Sequence, residues 1–230
     1  MQQFIIPKDF SQIHYPTVSG RYLPIEDLGG DFFDCYQLSD DKYGFLIADV
    51  TGHGIPAALV MSMAKMMFSI HALRHHRTGD LFATVNTQLC GLMLDSQFIT
   101  AFFIIYDPEN KSISYSNAGH TRALFYRKAK NKIVALDAKG FFLGISKDTI
   151  YEEKILSVEE GDKILLYTDG ITETTGHSGE EFSEARLLET LRKNRDLEAA
   201  CILRNMENAA EQFRLGEQED DLTLVIARAR

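Results

Sequence analysis

Four short acidic motifs, spaced over nearly the whole chain, constrain the fold more than any other feature. They are Gly29-Gly30-Asp31-Phe32-Phe33-Asp34, Ala48-Asp49-Val50-Thr51-Gly52-His53-Gly54, Tyr167-Thr168-Asp169-Gly170 and Asp220-Asp221-Leu222-Thr223. In the middle two the aspartate follows an apolar, strand-like run, Tyr43 to Ala48 and Lys163 to Thr168, so each carboxylate falls where a buried sheet meets solvent. On its own, Asp169-Gly170 is an ordinary turn. As an ordered set the motifs read as metal ligands, because carboxylates gathered to about 5 Å repel by roughly 3 kcal/mol per pair at an effective dielectric of about 20. A fold that gathers them needs something positive to offset that repulsion.

With 230 residues, 45% of them hydrophobic and 25% charged, the chain suits one domain over residues 1–230 with a sizeable core. It would stand alone or be a piece of a longer multidomain sensor. A net charge of -9 argues against a nucleic-acid partner, since a polyphosphate surface calls for clustered Lys and Arg. Cys35, Cys90 and Cys201 are far apart and lack C-x-x-C spacing, which points away from disulfides and zinc knuckles and towards a reducing cytoplasm. No apolar run approaches the roughly 20 residues of a membrane span, and the start has no signal-like pattern.

Strands are expected at Val18 to Ile25, Phe32 to Leu38 and Tyr43 to Asp49, with Asp40-Asp41 as a turn. Ile55 to Arg77 has a helical period through Leu59, Met63, Met66, Met67, Ile70 and Leu73, and a second helix is expected from an Asp80 N-cap to about Leu94. The Met61, Met63, Met66, Met67 cluster suggests core packing, or else a regulatory or dimer contact. A meander is expected through Phe98 to Tyr106, Ser112 to Asn117, Thr121 to Arg127 and Ile133 to Leu136. Two further strands, Ile150 to Ser157 and Asp162 to Thr168, precede paired helices at Ser183 to Asn194 and Leu197 to Phe213, and Leu222 to Arg228 closes the chain as a strand. His71 and His75 have metal-ligand spacing, but Ala72 stands where a zincin carries its glutamate, so a solvated helix end is expected.

Taken in order, the motifs resemble those of the metal-dependent Ser/Thr protein phosphatases of the PPM type, in their SpoIIE/RsbU-like bacterial branch. Arg21-Tyr22-Leu23-Pro24, Pro56-Ala57-Ala58, Asn117-Ala118-Gly119-His120, Phe142-Leu143-Gly144 and Glu173 extend the match. The resemblance implies an α+β fold: a sandwich of two mainly antiparallel sheets flanked by helices, with two Mn²⁺ or Mg²⁺ ions at one end. By motif, Asp49 would bridge both ions, the Val50 carbonyl would bind one, Asp169 and Asp220 would hold the other, and Asp31 would contribute directly or through a water. Oxygen donors suit such hard cations. Two ions about 3.5 to 4 Å apart can generate an attacking hydroxide near neutral pH. Asp34 and Asp221 each read either as a brace near the metals or as a solvated charge. Arg21 is a candidate for phosphate contact or a plain strand arginine. The eukaryotic-type members carry Asp after Asn-x-Gly, where this chain has His120, and His two positions after the bridging Asp, where it has Thr51. A third metal is therefore not implied, and His53 is as much a turn residue as a general acid.

The implied activity is hydrolysis of phosphoserine or phosphothreonine on a partner protein, by the branch an anti-sigma-factor antagonist of the STAS type. Two other classes fit the same residues: a non-catalytic phosphoprotein-binding scaffold, and a two-metal hydrolase of a small phosphate ester. Without a G-x-x-x-x-G-K-[ST] motif, a P-loop reaction is disfavoured.

Overall fold

Strands buried on both faces lose the polar alternation of a half-exposed sheet and become near-continuous apolar runs, as in Tyr43–Val50, Ile99–Asp107, Lys163–Tyr167 and Leu222–Arg228. That composition calls for cover on both sides of each sheet, and the structure supplies it. It is a computed structural model describing residues 6, 7, 9, 10, 13, 15–25, 29–52, 54–93 and 97–230.

One antiparallel sheet runs in the order β1 (Thr17–Leu23), β10 (Leu222–Arg228), β9 (Lys163–Tyr167), β6 (Leu124–Arg127), β7 (Lys132–Ala135). The other runs β2 (Phe32–Gln37), β3 (Tyr43–Val50), β4 (Ile99–Asp107), β5 (Ser112–Ala118), β8 (Lys154–Ser157). Helices α1 (Gly54–Ala72) and α2 (Thr78–Leu89) cover the second sheet, through Met61, Ala64, Phe68, Phe82 and Val85 against Leu46, Phe103 and Ile105. Helices α4 (Ser183–Asn194) and α5 (Ala199–Phe213) cover the first, through Leu187, Ile202 and Met206 against Leu165, Leu224 and Ile226. Between the sheets lies a third apolar layer, with Phe33, Phe45, Ile47, Phe102, Tyr115, Leu166 and Val225. The result is the expected α-β-β-α sandwich.

Three expectations need correction. The run from Phe98 to Leu136 is not one meander: β4 pairs with β5 in one sheet and β6 with β7 in the other, so the chain changes sheets across residues 119–123. Helix α1 buries Ala57, Val60, Met61, Ala64, Phe68 and Ala72, while Leu59, Met66, Ile70 and Leu73 are exposed. Both of its faces are apolar, and the one that packs carries the alanines together with Val60, Met61 and Phe68. This 19-residue helix, interrupted by Lys65 and so not an unbroken apolar run, nevertheless has the length and mean hydropathy of a membrane span, though its inner face packs on the sheet as a core helix does. Third, α2 starts at Thr78, not at an Asp80 cap, and the Thr78 N–H is held at 2.5 Å by the Glu153 carboxylate.

Candidate active site

Side chains of a strand alternate between its faces. On β2, β3, β9 and β10 the inward series is Phe33, then Phe45 and Ile47, then Ile164 and Leu166, then Ala227 and Val225, all in the inter-sheet core. At one end of the sandwich the next position of the same parity is polar in every case: Asp31, Asp49, Thr168 and Thr223. On β4 it is Thr100, paired across the ladder with Asp49. The site is thus the polar end layer of the inner core.

Asp31 is only 2% exposed. Its Oδ2 accepts hydrogen bonds from Thr168 Oγ1 at 2.7 Å and Thr223 Oγ1 at 2.6 Å. Asp221 anchors the loop before it, accepting from the Ile25 N–H at Oδ1 (3.0 Å) and from the Asp31 N–H at Oδ2 (3.3 Å). The two glycines of the motif are there because the chain runs so close: a Cβ on residue 29 would fall 1.7 Å from Asp221 Oδ2, and one on residue 30 would fall 2.5 Å from the Val50 carbonyl oxygen and 3.2 Å from Asp49 Oδ1.

The electrostatics tie the motifs together. Burial, and then repulsion from Asp169, Asp220 and Asp221, lift the Asp49 carboxyl to about 7, against a hydrogen bond with Asp31 that lowers it. Asp31 is pushed well above the ordinary carboxylate range, first by burial and next by Asp49, despite its two threonine donors. Glu173, at the C-terminus of the one-turn helix α3 (Asp169–Thr172), is raised by burial, Asp169, Glu181 and Asp220. A cavity of about 320 Å³ opens beside this group, lined by Gly170, Glu173, Glu181, Arg214 and Asp220.

The candidate donors by motif, Asp31, Asp49, the Val50 carbonyl, Asp169 and Asp220, are all oxygens, the donor set of Mn²⁺ or Mg²⁺. Among the described residues no three His, Cys, Asp or Glu side chains are close enough to ligate one ion as they stand. The fit therefore rests on donor chemistry and on like charges that raise one another's proton affinity.

Other candidates lie elsewhere or act differently. Asp34 faces away from Asp31, because residues three apart on a strand point to opposite sides. It meets Lys65 of α1 at 2.5 Å, so it is neither a metal brace nor a solvated charge. Arg21 points outward from β1 and pairs with Glu207 of α5 at 2.7 Å, as a strand arginine does. Both Asp221 oxygens are engaged by backbone N–H groups, which makes it a loop anchor. His120 is clamped through its backbone by the Asn117 amide, and its Nδ1 lies 2.7 Å from Thr100 Oγ1. Burial lowers it to about 4, so it is neutral at physiological pH. His53 lies outside the described residues. His71 contacts Gln88 at 2.7 Å on the surface, in keeping with a helix end. Sequence reasoning missed Thr168, Thr223 and Lys65 as partners of the acidic motifs, although strand parity counted from Asp31 and Asp49 would have marked the two threonines.

Two helix-covered antiparallel sheets with an all-oxygen acidic centre at one end define the class: a phosphatase domain of the PPM, or PP2C, type. The family model for Stage II sporulation protein E (SpoIIE) matches residues 39–230, and the chain belongs to that family. It is 31% identical over 227 residues to the phosphoserine phosphatase RsbU of Bacillus subtilis, covering 93% of this chain and 67% of that protein. It is 28% identical over 162 residues to the phosphoserine phosphatase RsbP of the same organism, covering 69% of this chain but only 40% of RsbP. Among solved structures, the SiaA-PP2C domain of Pseudomonas aeruginosa superposes with a TM-score of 0.87 at 18% identity, over 100% of this chain and 93% of that one. The PP2C phosphatase domain of SpoIIE from Bacillus subtilis, solved with a fragment of its regulatory domain, gives 0.79 at 20% identity, over 94% of this chain and 63% of that one.

Proposed function

We propose that this domain is a metal-dependent protein phosphatase that hydrolyses phosphoserine or phosphothreonine on a partner protein of the STAS, anti-sigma-factor-antagonist type. The observation that carries the reading is the meeting of Asp49 from one sheet with Asp169 and Asp220 at the end of the other, each raising the proton affinity of Asp49. Asp49 and the Val50 carbonyl would hold one Mn²⁺ or Mg²⁺, and Asp49 with Asp169 and Asp220 a second, with Asp31 contributing directly or through a water. Bound there, the ions supply Lewis acidity toward a water and toward the phosphoryl oxygens.

The chain's own groups do the positioning. Gly29 and Gly30 let the chain lie against Val50, Asp221 pins that segment, and the sheet ends hold the carboxylates at one end of the sandwich. A phosphorylated side chain would be presented to this end, and the neighbouring cavity would give room for the flanking residues. The signalling context is supported by two fold relatives. One joins RsbU and RsbW domains in Rv1364c from Mycobacterium tuberculosis (TM-score 0.78), and the other comes from work on the bacterial stressosome (TM-score 0.68).

The test is phosphate release from a serine-phosphorylated STAS protein, with a free nucleotide and a small phosphate ester in parallel. Mn²⁺-dependent release from the phosphoprotein, lost in folded Asp49→Asn and Asp169→Asn, is the expected result. Undiminished release in EDTA overturns the mechanism, and equal turnover of the small esters overturns the substrate class.

A further inference from the structure

Thr168 and Thr223 are both fully buried and stand side by side at the ends of β9 and β10, where the Thr168 N–H donates to the Thr223 carbonyl at 3.1 Å. The Thr223 N–H donates to Thr168 Oγ1 at 3.0 Å, so that hydroxyl already accepts one bond and directs its own proton at Asp31 Oδ2. Thr223 Oγ1 donates to the same oxygen. Thr168 also occupies the N-cap position of α3, where a threonine hydroxyl ordinarily bonds the first turn, yet it makes no side-chain cap bond. Its hydroxyl has been diverted from the helix to the carboxylate.

A carboxylate oxygen has about two lone-pair sites, and two hydroxyl donors fill those of Oδ2. The oxygen left for a cation or for Asp49 is Oδ1. We infer that Thr168 and Thr223 form a twin-hydroxyl clamp that orients Asp31, holding Oδ2 inward and presenting Oδ1 to the metal centre. Both are positioning residues that act through Asp31 and do not themselves touch metal or phosphate. The clamp also joins the first acidic motif to the last two, since its hydroxyls come from the Thr-Asp-Gly and Asp-Asp-Leu-Thr segments. This inference rests on the reading of the site as a divalent-metal centre.

The experiment compares Thr168→Val, Thr223→Val, Thr168→Ser and Thr223→Ser with the unsubstituted chain. It measures Mn²⁺ binding by calorimetry on metal-free protein and the Mn²⁺ concentration giving half-maximal phosphatase rate. Each valine, nearly the same shape but without the hydroxyl, is expected to weaken Mn²⁺ binding about 10- to 100-fold, the range seen when groups orienting a metal ligand are removed. The half-maximal Mn²⁺ concentration should rise in parallel, while each serine restores both to within about threefold. In an Asp31→Ala background the valines should cost no further affinity, which a general loss of packing would not reproduce. Should a valine variant fail to fold, the cysteine variants, of similar size with a weak donor, take its place and should show the same loss. Folded valine or cysteine variants with unchanged Mn²⁺ affinity overturn the clamp and leave the phosphatase reading standing. A parent chain that takes up no Mn²⁺ overturns both.

Discussion

Asp49 shows how one side chain couples stability to function. Its carboxyl is raised to about 7 by burial and by Asp169, Asp220 and Asp221, from an ordinary value near 4 in the unfolded chain. Between those values the folded state binds more protons than the unfolded state, so the metal-free protein loses stability as pH rises from about 4 to 7. In Asp49→Asn the repulsion is gone. In EDTA that variant should therefore be more stable than the parent at pH 8, by on the order of 1–3 kcal/mol, with the advantage fading towards pH 4. Urea unfolding across that range checks it, and an advantage independent of pH would exclude the coupled carboxylates as its source. The same variant should lose phosphatase activity about 100-fold or more, since it lacks the charge assigned to both ions.

Among the elements, α1 depends on a contact that its apolar pattern does not reveal. Lys65 and Asp34 retain only 11% and 14% side-chain exposure and meet at 2.5 Å, joining the middle of the helix to β2 three residues past Asp31. Removing one partner of a buried pair strands a charge at a cost of roughly 3–5 kcal/mol, whereas replacing both by apolar or neutral groups of similar size is often close to neutral. Lys65→Ala should accordingly destabilise the fold by about that amount, and Lys65→Met with Asp34→Asn should recover most of it, as read by chemical denaturation. Strand positions were largely legible, because β-branched and aromatic runs between turn residues mark them. Between two of them the residues Asp107-Pro108-Glu109-Asn110 close a turn, with the Asn110 N–H on Asp107 Oδ1 at 3.0 Å. The buried face of α1 was not legible, since Leu59, Met66 and Ile70 present as good an apolar period as the face that packs.

At the scale of the whole molecule, the carboxylates stand on elements far apart in the chain, and the sandwich alone holds them together. A cation that binds the folded chain and not the unfolded one stabilises it by about 2.7 kcal/mol at a hundredfold excess over its dissociation constant. For a domain of this size that corresponds to a rise in Tm of roughly 5–10 °C. Differential scanning calorimetry with Mn²⁺ or Mg²⁺, reversed by EDTA, should show the shift, and it should shrink sharply in Asp169→Asn. A Tm indifferent to both cations would be incompatible with the proposed centre.

Within the sequence itself lay the order of the acidic motifs, the strands that carry them and the oxygen-only chemistry they offer, because local pattern and residue type decide those things. Tertiary structure alone decided that Asp31 turns inward while Asp34 turns to Lys65, that Arg21 joins Glu207, and that β4–β5 and β6–β7 belong to different sheets. The reason is physical. When both faces of a strand or helix are apolar, periodicity no longer tells inside from outside, and the choice falls to whichever layer packs against each face.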